Sequence, residues 1–213
     1  MNDLLEMAEV QATDGTKLKI AHSCPHVVRR GFLGEDFAQG LFDYIVSRKE
    51  DCEPALLGPS PVSSYSPVVR SSLTCSDVGP LGEQLKGRVT ELLPELIGEL
   101  RGVPFNPSQT EMAAIIYGDG GHYLKHIDVF KGKDRPAIPR RVTCLYYFSR
   151  HPRPYGGGDL RFYSLSNQEH VDVEAERDML VAFPSWLPHE VMNVHVPSGE
   201  FTDYRFAVVV QFG

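Results

Sequence analysis

Three side chains that commonly bind transition metals lie in the second half of the chain at a spacing that suits one site. His126-Ile127-Asp128 places an imidazole and a carboxylate two residues apart, and therefore on one face if the segment is a strand. His189 follows 63 residues later, directly after the turn Pro184-Ser185-Trp186-Leu187-Pro188. Two imidazoles and one carboxylate can form a facial triad that binds Fe(II) and leaves coordination positions open. His126, Asp128 and His189 are therefore the candidate iron ligands and the candidate catalytic centre.

The triplet alone is a weak signal, because a simpler interpretation gives the same sequence. His126 and Asp128 could form a hydrogen-bonded pair at the surface, while His189 is an unrelated histidine at the start of a strand. A second, independent feature is needed to favour the metal site.

That second feature is an arginine within a strongly apolar segment near the end of the chain. Arg205 is preceded by Tyr204 and followed by the apolar run 206–210. A buried charge needs a partner, and the planar guanidinium is suited to binding a carboxylate through two hydrogen bonds. An iron enzyme that uses a 2-oxo diacid must hold the carboxylate that does not bind the metal. Arg205 is the candidate for this role, and the alternative is that it points outward at the start of its strand.

Short apolar segments, which must position these residues, recur after residue 107 between clusters of Gly, Pro and Asp. Strands at this regular spacing are typical of a β-sandwich or barrel. The predicted strands are 111–117, 124–130, 142–149, 159–164, 169–175, 178–184, 189–196 and 203–212.

The first half of the chain is predicted to be mainly helical. One helix begins near Leu33 and ends near Lys49, and a second covers about 81–100, where Pro94 is expected to kink or split it. The proline- and serine-rich segment 52–80 is too long for a simple connection, so we expect a functional lid or partial disorder. We predict one domain over 1–213, with helical support and the lid in 1–106 and the catalytic core in 107–213.

Six sequence blocks follow one another in the C-terminal half of the chain. They are Tyr117-Gly118-Asp119-Gly120-Gly121-His122-Tyr123-Leu124-Lys125-His126-Ile127-Asp128, Arg141-Val142-Thr143-Cys144-Leu145-Tyr146-Tyr147-Phe148, Gly157-Gly158-Asp159-Leu160-Arg161, Phe183-Pro184-Ser185, His189-Glu190-Val191 and Tyr204-Arg205-Phe206-Ala207-Val208. In their order and spacing, these blocks resemble the catalytic core of the prolyl-hydroxylase branch of the 2-oxoglutarate/Fe(II) dioxygenases.

The resemblance implies a fold that is mainly β with supporting α: a double-stranded β-helix, or jelly roll, with N-terminal helices packed on one sheet. It also implies that Arg205 binds the distal carboxylate of 2-oxoglutarate, with help from the Tyr147 hydroxyl and from Tyr117. Tyr147 could instead be simple core packing. Three residues are assigned to the substrate and the entrance of the site: Tyr123, Arg135 and Trp186.

The implied activity is oxidation of an unactivated C–H bond with Fe(II), 2-oxoglutarate and O2, giving succinate and CO2; ascorbate can serve as reductant. Hydroxylation, desaturation and cyclisation all remain open, but halogenation does not fit a carboxylate at Asp128. The compact length favours a small molecule or carrier-bound substrate over a peptidyl or prolyl substrate. Two alternatives from other classes are a cupin-like metal protein that uses no 2-oxoacid and a binding protein with a degenerate site.

Charge and composition limit the kinds of partner and location that we expect for this chain. A net charge of −7 and a pI of about 5.6 argue against nucleic acid. No stretch approaches the ~20 apolar residues of a membrane span, and the acidic start does not resemble a signal peptide, so we expect a cytoplasmic protein. The four cysteines are scattered, which favours free thiols.

The segment 125–141 is basic although the chain as a whole is acidic, so we hypothesise an anionic substrate. Its basic residues are Lys125, Lys131, Lys133, Arg135, Arg140 and Arg141.

Overall fold

The computed structural model describes residues 24–58, 63–129, 138–166 and 168–213, and the elements below lie in these ranges. The helices are α1 (Glu35–Ser47) and α2 (Gly79–Glu99). The strands are β1 (Val27–Arg30), β2 (Glu53–Pro54), β3 (Arg70–Ser71), β4 (Leu73–Cys75), β5 (Thr110–Tyr117), β6 (His122–His126), β7 (Val142–Tyr147), β8 (Gly156–Gly157), β9 (Leu160–Tyr163), β10 (His170–Val173), β11 (Met179–Pro184), β12 (His189–Val191), β13 (Val194–His195) and β14 (Arg205–Phe212).

Two antiparallel sheets form a jelly roll, as the resemblance implied. The larger sheet has the strand order β1-β11-β7-β14-β5-β4-β2, and the smaller has the order β10-β9-β12-β6-β3. A two-stranded ribbon pairs β13 with β8. The chain passes from the larger sheet to the smaller between β5 and β6 and again between β11 and β12, so residues distant in the chain meet between the sheets.

The alternation of side chains along β14 shows how the larger sheet separates two environments. Phe206, Val208, Val210 and Phe212 are buried in a core shared with both helices. The intervening residues lie on the opposite face, toward the smaller sheet, because successive strand side chains point to opposite sides. The helices bury one stripe each on this sheet, which confirms the predicted packing; their fully or almost fully buried residues are Ala38, Leu41, Phe42, Ile45, Leu85, Val89, Leu93, Leu96 and Ile97.

Each of the eight predicted strand segments contains a strand, with shifted ends. The segment 189–196 is divided between β12 and β13, and β6 ends at His126 rather than at 130. Helix α2 runs through Pro94 without interruption, so the predicted split is wrong. None of the helices in the described ranges is long and apolar enough to cross a membrane.

The segment 52–80 differs from the expected long loop. It contains three short strands: β2 and β4 extend the larger sheet, and β3 adds to the edge of the smaller one. Residues 59–62 within it lie outside the described ranges. Strands of two or three residues carry too little periodicity to be seen in a sequence, and the four-residue β1 was missed for the same reason. The four cysteines are free thiols, as predicted.

Asp178 fastens α1 to the larger sheet. It directly precedes β11 with a positive φ of 54°, a conformation that aspartate adopts more readily than most residues. Its buried carboxylate accepts hydrogen bonds from the backbone N–H groups of Leu33 at 2.8 Å and Gly34 at 2.9 Å, just before α1. The Tyr146 hydroxyl donates a third bond at 2.8 Å. One carboxylate therefore connects the start of α1 with two neighbouring strands.

We predict that Asp178→Ala lowers the free energy of unfolding by about 2–4 kcal/mol, because three donors lose an ionised acceptor inside the protein. Urea unfolding followed by circular dichroism measures the change. Asp172→Ala is the matched control, since this exposed carboxylate pairs with Arg161 at the surface and its removal should cost at most about 1 kcal/mol. Equal losses in both variants would contradict the anchoring role.

Candidate metal centre

The three predicted ligands meet between the two sheets. His126 ends β6 and His189 begins β12, and the two residues face each other in the register of this strand pair. The sequence had placed Asp128 on the same strand as His126. In the structure it lies two residues beyond the end of β6, in the connection that follows this strand. The candidate ligand atoms all lie within 4.8 Å of one another. Asp128 carboxylate oxygens are 3.7 Å from His126 Nε2 and 3.8 Å from His189 Nε2.

Both imidazoles are oriented by the backbone. The Nδ1 atom of His126 is 2.8 Å from the carbonyl oxygen of Leu124, and Nδ1 of His189 is 2.9 Å from that of Leu187. A carbonyl can only accept, so each Nδ1 carries the proton and donates it. Each Nε2 then has a free lone pair toward the other ligands. This outer hydrogen bond is a recurrent feature of histidines that bind metals.

The charge state of the triad also suits a cation. Burial, together with the neighbouring His189, lowers the pKa of His126 to about 3, so its ring is neutral at physiological pH. Burial alone would raise the pKa of Asp128, but both histidines and the Thr143 hydroxyl outweigh it and hold that pKa below the ordinary value. Neutral imidazoles and an ionised carboxylate are the forms that bind metals.

Asp128 is held in place by a short network from β7 and the end of β11. The Thr143 hydroxyl donates to Asp128 Oδ2 at 2.7 Å, and Ser185 Oγ lies 2.9 Å from the Thr143 oxygen. The backbone N–H of Asp128 donates to the Ser185 carbonyl at 2.9 Å. Because both ends of the residue are fixed, Asp128 keeps its orientation although it lies outside a strand.

A cavity of about 520 Å³ opens beside the triad. Apolar side chains from both sheets form much of its wall: Ile115, Leu145, Leu160, Phe183, Val191, Ala207 and Val209. The triad thus has a protein side, where its hydrogen bonds are satisfied, and a cavity side, where ligands can approach. Such an apolar cavity with a few polar groups is typical of a small-molecule site.

Arg205 lies in the wall of this cavity and is only 1% exposed. Its Nε donates to the carbonyl of Gly158 at 2.7 Å, and its guanidinium lies over the rings of Tyr117 and Tyr147 at 5.1 and 4.9 Å. Within the described ranges, no carboxylate forms an ion pair with it. A buried guanidinium without a carboxylate is costly, and the cavity is where its anion can be bound. The outward orientation considered from the sequence is therefore wrong.

Gly158 is required for this position of the arginine. Its φ is +74°, and a β-carbon there would lie 2.7 Å from Arg205 Cδ. Any larger residue would therefore displace the guanidinium from the carbonyl that orients it.

Tyr147 and Tyr117, which the resemblance placed beside Arg205, both contact its guanidinium in the structure. Both are buried, and the Tyr147 hydroxyl lies 3.4 Å from Arg205 Nη2 and accepts its hydrogen bond. The hydroxyl proton of Tyr147 is then free to donate to a ligand. Burial raises the pKa of Tyr147 to about 12, so the hydroxyl keeps that proton at physiological pH.

Tyr123 is stacked on a candidate ligand. Its ring centroid is 3.4 Å from that of His126 with 18° between the planes, and a register shift in the pairing of β6 with β12 brings both rings to the cavity. On the neighbouring strand β3, the Arg70 guanidinium lies 4.8 Å from the Tyr123 ring. Tyr123 and Arg70 therefore border the cavity beside the triad.

The two other residues assigned to the entrance are Trp186 and Arg135. Trp186 is 45% exposed and is not among the residues that line the cavity. Arg135 lies outside the described residues, as do Lys131 and Lys133 of the same basic segment. Of that segment, Arg140 borders the cavity and pairs with Glu111, whereas Arg141 lies over the ring of Phe105.

The polar residues in or beside the cavity that were not predicted include Arg70, Thr143, Ser185 and Gln211. Thr143 had a detectable signal, because it lies two residues before Leu145 on β7 and both line the same cavity. Gln211 had a similar signal, because it lies six residues after Arg205 on β14 and therefore on the same face of that strand. Arg70 had no such signal, since its strand is two residues long.

The donor set fits Fe(II). Two imidazole nitrogens and one carboxylate lie on one side, and the cavity side leaves room for further ligands, as in the facial triad of non-haem iron oxygenases. The unpaired arginine in the same cavity fits the second carboxylate of a diacid.

Comparisons with known proteins agree with this chemistry. Residues 112–212 match the profile of the 2OG-Fe(II) oxygenase superfamily. A PKHD-type hydroxylase from Synechocystis sp. is 32% identical over 136 residues, which cover 60% of this chain and 44% of that protein. Egl nine homolog 1 of Homo sapiens is 28% identical over 213 residues, covering 89% of this chain and 47% of its own length. The chain thus spans less than half of these curated relatives.

Solved structures share the fold. A prolyl-4-hydroxylase from Pseudomonas putida superimposes with a TM-score of 0.69 at 19% identity, over 92% of this chain and 96% of that one. A Trichoplax adhaerens prolyl hydroxylase, in complex with a hypoxia inducible factor peptide fragment, has a TM-score of 0.66 at 18% identity, over 100% and 93%. Residues 112–212, which contain the triad, thus match the 2OG-Fe(II) oxygenase superfamily, and the chain is similar to members of its prolyl-hydroxylase-like branch.

Proposed function

We propose that the chain is an Fe(II)- and 2-oxoglutarate-dependent oxygenase that hydroxylates a C–H bond and releases succinate and CO2. The observation that carries this proposal is Arg205, a buried guanidinium that shares one cavity with the triad and has no carboxylate partner within the described ranges. A metal protein that used no 2-oxoacid would have no need for this charge. Arg205 therefore favours the oxygenase over the cupin-like alternative.

We assign each residue of the site a role from its position in the cavity. His126, Asp128 and His189 would hold the iron, which with 2-oxoglutarate and O2 supplies the oxidising power. Arg205 and the Tyr147 hydroxyl would bind the distal carboxylate of 2-oxoglutarate and so orient the diacid toward the triad. The apolar wall excludes water, which strengthens each of these electrostatic contacts.

A peptidyl substrate is supported by the relatives. Two of the solved structures of the same fold are named prolyl hydroxylases, and one of them holds a peptide fragment. We therefore favour an amino-acid residue within a peptide over the small molecule preferred from chain length. The hypothesis of an anionic substrate depends on Lys131, Lys133 and Arg135, outside the described residues, and stays a prediction, as does a cytoplasmic location.

The first prediction concerns the metal. We expect anaerobic titration with Fe(II) and 2-oxoglutarate to give a weak visible charge-transfer band. His189→Ala should abolish it, and Thr143→Val should weaken metal binding by roughly 10–100-fold because an outer hydrogen bond to Asp128 is lost.

His195→Ala is the matched control, because this histidine is 75% exposed and pairs with Asp119. It should bind metal like the unchanged protein. An intact band in the His189→Ala variant would show that the ligand assignment is wrong.

The second prediction concerns the cosubstrate. Arg205→Ala should raise the 2-oxoglutarate concentration needed for half-saturation by roughly two to four orders of magnitude, since deleting one partner of a desolvated ion pair costs about 3–5 kcal/mol. Tyr147→Phe should raise it less, by roughly 5–30-fold, because one hydrogen bond to a charged group is lost. Calorimetric titration of the metal-loaded protein measures both.

Fe(II) affinity should be nearly unchanged in both variants. Arg30→Ala serves as control, since the Arg30 side chain is 65% exposed and pairs with Glu176 at the surface. Normal 2-oxoglutarate affinity in Arg205→Ala would remove the main support for the proposal.

The third prediction concerns the substrate. A panel of proline-containing peptides should accelerate succinate formation above the substrate-free rate and gain 16 Da by mass spectrometry. Free amino acids, tested in parallel, should do so less. If free amino acids accelerate turnover and peptides do not, the small-molecule alternative is the correct one.

A further inference from the structure

Two of the four free thiols lie next to each other at the edge of the larger sheet. Cys52 directly precedes β2 in an extended conformation, and Cys75 ends β4. In the register of this strand pair Glu53 lies opposite Thr74, so Cys52 faces Cys75 one position further along. Facing residues of an antiparallel pair point to the same side of the sheet. Accordingly, Cys75 is buried in the core shared with the helices, and Cys52 packs against that core.

The hydrogen bonds between β2 and β4 show which kind of pair the two cysteines form. The backbone N–H of Ala55 donates to the carbonyl of Ser72 at 2.9 Å, so these two facing residues are a hydrogen-bonded pair. Hydrogen-bonded and non-hydrogen-bonded pairs alternate along an antiparallel ladder, so Cys52 and Cys75, three positions away, form a non-hydrogen-bonded pair. The α-carbons of such a pair are about 4.5 Å apart, a separation that a disulfide spans without movement of the backbone.

The two side chains also contact each other. Burial, together with the neighbouring Cys75 thiol with which it shares a hydrogen bond, raises the pKa of Cys52 to about 12. Each sulfur lies near one backbone carbonyl as well, Cys52 at 3.5 Å from that of Arg48 and Cys75 at 3.3 Å from that of Asp77. Because a thiol is a weak donor, these contacts hold neither sulfur in place, and the two can turn toward each other.

The other two cysteines, which also lie in the described ranges, are out of reach of this pair. Cys144 is on β7, three strands away from β4 in the larger sheet, or roughly 14 Å at the usual strand spacing. Cys24 is buried between the sheets, where its thiol contacts the carbonyl of Phe162 on β9. A disulfide needs α-carbons less than about 7 Å apart, so the geometry selects Cys52 and Cys75.

The segment that a bond between these cysteines would hold is part of the cavity wall. Strand β2 is at the edge of the larger sheet and pairs with β4 through two residues. An edge strand this short is weakly held, because backbone bonds fix it on one side alone. The cavity-lining residues that begin with this strand are Glu53, Pro54, Ala55, Leu56 and Gly58.

We propose that Cys52 and Cys75 are the site of a reversible disulfide, formed by exchange with a low-molecular-weight disulfide such as oxidised glutathione, and that this bond fixes the segment 53–58 in the cavity wall. The thiolate of Cys52, the partly exposed residue, attacks the oxidant and releases one thiol, which leaves a mixed disulfide. The sulfur of Cys75 then attacks the Cys52 sulfur and releases the second thiol. The two cysteines lose two electrons and two protons, and the oxidant becomes two thiols.

The experiment equilibrates the full chain, without O2, in mixtures of reduced and oxidised glutathione. Acid stops the exchange, and mass spectrometry after trypsin digestion identifies the linked peptides. The peptides that carry Cys52 and Cys75 are 50–70 and 71–86. Cys52→Ser removes one sulfur of the pair at a partly exposed position. Cys144→Ser makes the same change at another thiol of the main core and is the control.

We expect oxidising mixtures to link peptides 50–70 and 71–86, with a mass loss of about 2 Da, in the unchanged protein and in Cys144→Ser. The bond closes a loop in the unfolded chain, so the oxidised protein should melt roughly 5–10 °C above the reduced one. Hydrogen exchange of the segment 53–58 should slow by about tenfold or more. Cys52→Ser should show neither the link nor these two changes.

Several outcomes would overturn the inference. A persistent glutathione adduct on Cys52, or no link even in oxidised glutathione alone, would show that Cys75 cannot reach its sulfur. A link through Cys24 or Cys144, or a link between two chains on a non-reducing gel, would show a different pairing. Equal hydrogen exchange of the segment 53–58 in the oxidised and reduced proteins would refute the effect on the cavity wall. None of these measurements uses iron or 2-oxoglutarate, so their result is independent of the proposed function.

Discussion

A guanidinium buried without a carboxylate partner is the constraint around which the site is arranged. Desolvating Arg205 is costly, and within the described ranges only a carbonyl, a hydroxyl and two aromatic faces compensate for it. Gly158 is needed because the arginine side chain occupies the space that a β-carbon would take. The cavity must therefore admit an anion, and the triad in the same cavity determines which chemistry that anion can enter.

The jelly roll makes this arrangement possible because the larger sheet packs against the helices on one face and lines the cavity on the other. Along β14, the side chains toward the helices are Phe206, Val208, Val210 and Phe212, all buried in the main core. The side chains toward the cavity include the guanidinium of Arg205 and the carboxamide of Gln211. Because strand residues alternate in direction, both sets come from the same eight-residue segment. The helical layer compensates for the cost of the functional face.

Elements with a local hydrophobic pattern could be predicted from the sequence, whereas contacts that depend on which strands pair could not. The eight core segments and the position of Arg205 within an apolar strand were visible in the sequence, and so the strands and the buried arginine could be predicted. The triad was found from residue type and resemblance, although Asp128 lies beyond its strand and is held by Thr143 and Ser185. Arg70 could not be predicted, since only the antiparallel pairing of β3 with β6 brings it over Tyr123.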